Sequence, residues 1–165
     1  MYAGIMIDTN NFLSKTGVRT FEAAAYLKRS GADVTKIRKA FRCDMMDYKV
    51  QAESVSNVEV FLDYYAITEC IGHGVESPTI IGAKVANELL NITNVKASFV
   101  LTEFKGKIYI SARSIDELNV QIVMEKLGGG GHMTIAGAQL TDCTMEEAIN
   151  LVKETLKRMQ QEGEL

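Results

Sequence analysis

The apolar positions of this chain fall into two stretches with different rhythms. Residues 3–7, Ala-Gly-Ile-Met-Ile, are a short continuous apolar run that predicts a buried strand ending at Asp8. Asp8-Thr9-Asn10-Asn11 predicts a loop, because these side chains compete with the backbone for hydrogen bonds. Thr20 is the expected N-cap of a helix running to about Arg29, with Phe21, Ala24, Ala25 and Lys28 at helical spacing and Gly31 as its stop. Asp33 is the expected cap of a second short helix through about Phe41. One strand followed by two helices, with no second strand to pair, makes residues 1–42 a piece of an α/β unit. Residues 43–57 mix charged, Ser and Asn side chains without Gly or Pro, and predict a polar connector of helical character.

From Val58 the period changes. Val58, Val60, Leu62 and Tyr64 alternate with Glu59, Phe61 and Asp63, which predicts one strand. Ser77-Pro78 is an N-cap followed by a first-turn proline, opening a helix with Ile80, Ile81, Val85, Leu89 and Leu90 on its apolar face. Residues 96–104 and 107–113 predict two strands of a hairpin turned at Lys105-Gly106. Glu117 to Leu127 predicts a helix with Leu118, Ile122 and Leu127 inward, and a further strand is expected near 138–140. Thr144 with Glu147 matches a capping box and opens a last helix with Met145, Ile149, Val152 and Leu156 on one face. Residues 58–165 therefore predict an α+β domain.

Composition narrows the function classes. The 165 residues are 47% apolar and 24% charged, with a net charge of −3, which excludes disorder and low complexity and argues against a broad, charge-driven nucleic-acid binder. No stretch reaches about 18 uncharged apolar residues, so no transmembrane helix is expected. No basic region followed by an apolar run stands at the N-terminus, so no signal peptide is expected. Cys43, Cys70 and Cys143 are odd in number and lack C-x-x-C spacing, the pattern of free thiols in a reducing cytoplasm.

The strongest chemical signal is Gly128-Gly129-Gly130-Gly131-His132, directly after a predicted helix. Each of four consecutive glycines costs about 0.5–1 kcal/mol of backbone entropy relative to alanine, a cost that sequences accept where a ligand must approach the main chain. Bare N–H groups form anion-binding concavities, and His132 stands at the exit as a further donor. Arg113, at a strand end in Ser111-Ala112-Arg113-Ser114, is placed to bind phosphate through two parallel hydrogen bonds. Asn119 and Gln121 follow closely enough to share that site. Asp8, at the expected strand end, is a carboxylate of the kind that suits a hard divalent cation, although a turn aspartate is the commoner use of such a residue.

Those residues carry a family resemblance. Ala3-Gly4-Ile5 with Asp8-Thr9, Phe12, Thr20 and the Ala23–Ala25 helix ending at Gly31 resembles the last segment of a DHH phosphoesterase domain. Ser111–Ser114, Asn119-Val120-Gln121 and Gly128–His132 resemble the DHH-associated C-terminal domain, in the branch of GdpP-type cyclic-di-AMP phosphodiesterases. The resemblance implies an α/β (α+β) fold: a strand-helix-helix DHH remnant over 1–42, a connector over 43–57 and a DHH-associated substrate-binding domain with a mixed β-sheet and flanking helices over 58–165. It implies Asp8 as a manganese ligand, and Arg113, Ser114, Gly129, Gly130, Gly131 and His132 as the face that closes on a cyclic dinucleotide or short oligonucleotide. The implied reaction is hydrolysis of cyclic-di-AMP to the linear dinucleotide by metal-activated water. No Asp-His-His occurs in the sequence, so the chain is expected to bind Mn2+ poorly, to hold substrate without cleaving it, and to depend on an upstream DHH half. The expected setting is a cytoplasmic domain without direct membrane contact, in a parent that is membrane-anchored. The competing expectation is a non-enzymatic nucleic-acid-binding or dimerisation module, working as a homodimer.

Overall fold

Hydrogen bonds that close locally dominate the first stretch of the chain. The computed structural model describes residues 1–115 and 117–165 and divides into two units, Met1–Cys43 and Asp44–Leu165. The first unit is helical: α1 (Tyr2–Asp8), α2 (Val18–Arg29) and α3 (Val34–Ala40). The strand expected over 3–7 is therefore a helix. The first unit has no strand for it to pair with, and an unpaired strand leaves its N–H and C=O groups without partners, whereas a helix satisfies them within the segment. Asp8 accordingly ends a helix rather than a strand edge, and it is exposed.

Thr20 also changes role. The N-cap of α2 is Gly17, and Thr20 stands three residues in, its hydroxyl accepting the Gly17 N–H at 3.2 Å. Gly31 does end α2: its N–H donates to Lys28 O, and the Ala32 N–H donates to Leu27 O, the paired bonds of a Schellman stop. Asp33 caps α3 by accepting the Lys36 N–H at 3.0 Å. Between α1 and α2, Asn10, Asn11 and Phe12 are consecutive left-handed residues, with φ of 46°, 57° and 68°. Thr9 holds this turn, donating to Ile5 O at 2.6 Å and accepting the Phe12 N–H at 3.0 Å.

The second unit carries a six-stranded sheet. Its elements are α4 (Met45–Ser56), β1 (Glu59–Phe61), β2 (Tyr65–Glu69), α5 (Pro78–Leu89), β3 (Ala97–Phe104), β4 (Lys107–Ser114), α6 (Val120–Lys126), β5 (Gly130–His132), β6 (Ile135–Leu140) and α7 (Met145–Glu162). The strand order is β1-β2-β3-β4-β6-β5, antiparallel except where β2 and β3 pair in parallel across the α5 crossover. Residues 43–57, read above as a connector, contain α4, whose Val50 joins the core beneath α5.

The single strand expected over 58–64 is a hairpin. Leu62 and Asp63 both take positive φ, 50° and 66°, and the Tyr64 N–H returns to Phe61 O, so the chain reverses before β2. The helix expected from Glu117 begins only at Val120, because the Asn119 side chain accepts the Gln121 N–H at 3.1 Å and caps it there. The strand expected at 138–140 starts at Ile135, and β5 is built from the glycine run itself. On α5, Ile81, Val85 and Leu89 are buried as expected, whereas Ile80 faces solvent at 57% exposure. The Thr144–Glu147 capping box is present in both directions, and the backbone N–H and hydroxyl of Thr144 hold the Glu147 carboxyl below the usual carboxylate range.

Because side chains alternate along strands, the sheet has two unlike faces. One carries Tyr65, Ile67, Phe99, Leu101, Ile110, Ala112 and Ala136, packed against α6 and α7 through Val123, Met124, Val152, Leu156 and Met159. Burying a Phe99- or Leu156-sized side chain contributes about 1.5–3 kcal/mol, so this layer carries much of the unit's stability. The other face carries Ala66 and Val100 against Val50 of α4 and Ile81, Val85 and Leu89 of α5. Gly82 of α5 is where helix and sheet touch, since a Cβ there would collide with Thr102 Oγ1. Cys70 is buried, Cys143 half-buried and Cys43 exposed; all are free thiols. No helix among the described residues is long and apolar enough to cross a membrane.

Candidate functional site: an open shelf on the sheet

The helices packed on the α4–α5 face stand over β2, β3 and β4. Past β4 that face is open, and register decides what it presents. Arg113 on β4 pairs with Ile135 on β6, and Ile135 pairs with His132 on β5. The next row joins Ser111, Gly137 and Gly130, and the third joins Tyr109 and Gln139. Cross-strand partners share a face, so these eight residues form one shelf. Arg113 and His132 stand two strand spacings apart, about 10 Å, enough for a nucleotide phosphate to lie between them. The middle row has no side chains over β6 and β5, because Gly137 and Gly130 lack a Cβ. Ile135 is 37% exposed and Gln139 and His132 are exposed, so no other part of the fold covers them.

The four glycines divide their work. Gly128 takes φ 77° and closes α6, its N–H donating to Glu125 O while the Gly129 N–H donates to Met124 O. Gly129 lies against β6, where a Cβ would stand 2.6 Å from Ala138 Cα and collide with Gly137 O. Gly131 combines φ 148° with an equally close approach, a Cβ falling 2.5 Å from Ala136 Cα. The fold accounts for these three. Gly130 is different: nothing lies within 4 Å of a Cβ added to it, and its φ is not left-handed. Its bareness is open to the shelf. As the edge strand, β5 also leaves backbone N–H groups unpaired toward its free side.

Arg113 is the charged member. It is half-buried; its Nη1 donates to Ala112 O at 2.8 Å, and its buried Nε has no hydrogen-bond partner among the described residues. Burial pushes its guanidinium below the usual arginine value. None of the ion pairs found among the described residues involves it. A desolvated cation beside a floor of glycine, with guanidinium N–H groups that make no hydrogen bond among the described residues, is suited to an anion.

Two expected site residues stand elsewhere. Ser114 is buried on the opposite face of β4 from Arg113, its hydroxyl donating to Leu118 O at 2.6 Å and lying 3.4 Å from Met133 O. It ties the loop before α6 to the β5–β6 turn, which the Val120 N–H also holds through Met133 O at 2.9 Å. Asn119 spends its side-chain oxygen capping α6. Both support the shelf's frame, and Ser114 faces away from it. Sequence reasoning missed Ile135, Gly137, Tyr109 and Gln139, all visible only once β5 and β6 are paired. The lone Gly137 in a strand pattern was the available signal, since such glycines mark close approach. Asp8 belongs to the first unit, and no group of three His, Cys, Asp or Glu side chains able to share a cation occurs among the described residues. The donors present do not fit the manganese centre that the resemblance implied.

A family model described as the DHHA1 domain matches residues 63–161. Cyclic-di-AMP phosphodiesterase PdeA of Listeria monocytogenes is 42% identical over 150 residues, covering 90% of this chain and 22% of that protein. Cyclic-di-AMP phosphodiesterase GdpP of Geobacillus thermodenitrificans is 40% identical over 157 residues, covering 94% of this chain and 24% of that protein. The chain thus spans less than a quarter of the length of either relative. Among solved structures, an exopolyphosphatase-related protein from Bacteroides fragilis matches with a TM-score of 0.82 at 24% identity, over 95% of this chain and 48% of that one.

Proposed function

This chain belongs to the DHHA1 domain family, and from that premise we propose that its second unit is the substrate-binding module of a phosphodiesterase acting on cyclic-di-AMP or short oligonucleotides. The observation that carries the reading is the half-buried Arg113, with its orphaned Nε, in one row with His132 above a glycine floor. Arg113 supplies a charge-assisted hydrogen bond to one phosphate. Gly130 lets the phosphodiester backbone approach the main chain, and His132 donates from the far side. The exposed Ile135 between them offers an apolar surface to an adenine ring. The names of the two relatives supply the choice of cyclic-di-AMP as ligand.

In this reading the chain holds substrate, and cleavage by a two-metal centre requires ligands beyond those that its described residues bring together. Calorimetry with cyclic-di-AMP tests the binding role. Saturable binding is expected, weakened in His132→Ala and competed by AMP but not by adenosine, since phosphate carries the recognition. Binding that adenosine competes as well as AMP would overturn it. Turnover assayed with added manganese is expected to be absent, and robust hydrolysis by this chain would contradict the division of labour.

A further inference from the structure

The shelf has a third row that phosphate binding leaves unused. Tyr109 and Gln139 stand directly opposite each other on β4 and β6, so their Cβ atoms are about 4.5–5.5 Å apart on the open face. Tyr109 lies four residues along β4 from Arg113, which sets this row about 14 Å from the phosphate row. Between the two rows run Ser111, Gly137 and Gly130, where two of the three positions carry no side chain. Tyr109 also marks the edge of the covered sheet. Its partner on β3, Thr102, is buried against Gly82 of α5. The Tyr109 ring is half-buried and stands against Phe104, with centroids 6.5 Å apart and planes inclined by 54°. Gln139, on the other side, is exposed, and its amide offers one acceptor and two donors.

An aromatic ring set by packing, beside an exposed amide, suits a purine. The ring offers a surface for the base to stack on, and the amide reads the base edge. Adenine presents the N7 acceptor beside the N6 amino donor, which the glutamine N–H and C=O meet as one bidentate pair. Guanine presents two acceptors there, N7 and O6, so the amide carbonyl would face an acceptor. A cyclic dinucleotide brings two bases, and Ile135 receives one of them. Given the proposed binding of a cyclic dinucleotide on the shelf, on which this assignment rests, we propose that Tyr109 and Gln139 form the subsite of the second base and select adenine over guanine. Tyr109 supplies the stacking surface and Gln139 the discrimination.

The test measures the affinities of cyclic-di-AMP and cyclic-di-GMP by calorimetry and reads their ratio, in which effects on phosphate binding cancel. The unaltered chain is expected to favour cyclic-di-AMP by about tenfold or more, the discrimination of one bidentate contact. Gln139→Ala is expected to bring the ratio toward one. Gln139→Arg is expected to invert it, because a guanidinium fork pairs with guanine O6 and N7. Tyr109→Leu keeps apolar bulk without the ring and is expected to weaken cyclic-di-AMP binding about tenfold, whereas Tyr109→Phe stays within about twofold. Thermal unfolding checks that the variants fold. Arg113→Ala is expected to weaken both dinucleotides alike and to leave the ratio in place. A ratio unmoved by both Gln139 variants, with affinity still dependent on Arg113, would overturn the base subsite without touching the phosphate site. Tyr109→Leu binding as tightly as Tyr109→Phe would overturn it in the same way. Absence of saturable binding of either dinucleotide to the unaltered chain would overturn both.

Discussion

Replacing Arg113 by alanine is expected to weaken cyclic-di-AMP binding by about ten- to a hundredfold while leaving the unfolding midpoint unchanged or slightly raised. The size follows from losing a hydrogen bond to a charged group, about 1.5–3 kcal/mol, at 1.4 kcal/mol per decade. The absence of a stability cost follows from the environment of the side chain. Its Nε is buried without a partner among the described residues and burial already disfavours its charge, so removing it relieves desolvation instead of breaking a network. Arg113→Lys keeps the charge but not the planar fork, and is expected to recover only part of the affinity. Parallel calorimetry and thermal unfolding separate the possibilities. An arginine that served packing would lower the midpoint and leave affinity nearly intact, the reverse pattern.

The second large effect lies in the glycine run, where adjacent positions are expected to respond oppositely. Gly129→Ala and Gly131→Ala place a methyl against the backbone of β6, which neither strand can yield without breaking the ladder, and Gly131 adds a left-handed backbone. Each is expected to cost about 3 kcal/mol, in the range of strained or overpacked sites, lowering the melting temperature by roughly 10 °C for a chain of this size. Gly130→Ala meets no atom within 4 Å. Its stability is expected to be unchanged or raised by up to about 1 kcal/mol, through reduced unfolded-state entropy. Its methyl would stand on the shelf floor, and affinity is expected to fall by about tenfold, the order of cost of forcing a methyl into a fitted contact. Equal destabilisation at all three positions would mean that Gly130 serves the fold and not the ligand.

The glycine run also shows what was legible in the sequence. Its importance, its neighbour His132 and the remote Arg113 were readable as a possible anion site, and register does set them in one row. Its structure was not readable, because a strand made of glycine has no alternating side chains to announce it. Without β5, the pairing that exposes Ile135 and Gly137 stayed hidden. The local roles of Ser114 and Asn119 are hidden in the sequence for a related reason. A hydroxyl or amide beside a candidate site carries no mark of whether it serves ligand or frame, and here both close local hydrogen bonds. Punctuated elements were the clearest: Ser77-Pro78, Lys105-Gly106, Asp33 and the Thr144–Glu147 box each specify backbone geometry locally, and each opens or turns the element expected. The α1 segment was the opposite case. An apolar run of five is compatible with strand or helix, and the choice falls to whether a partner strand is present.

In the proposed function an anionic nucleotide lies on the bare part of the sheet between β4 and β5. The most direct measurement is the titration of isotope-labelled chain with cyclic-di-AMP, followed residue by residue through backbone and arginine side-chain NMR signals. Saturable shifts are expected at Gly130, His132 and Ile135 together with the Nε–H of Arg113, and none along the α6–α7 face. Shifts confined to that buried face or to the β1 edge, with the Arg113 Nε–H unmoved at saturation, would contradict it.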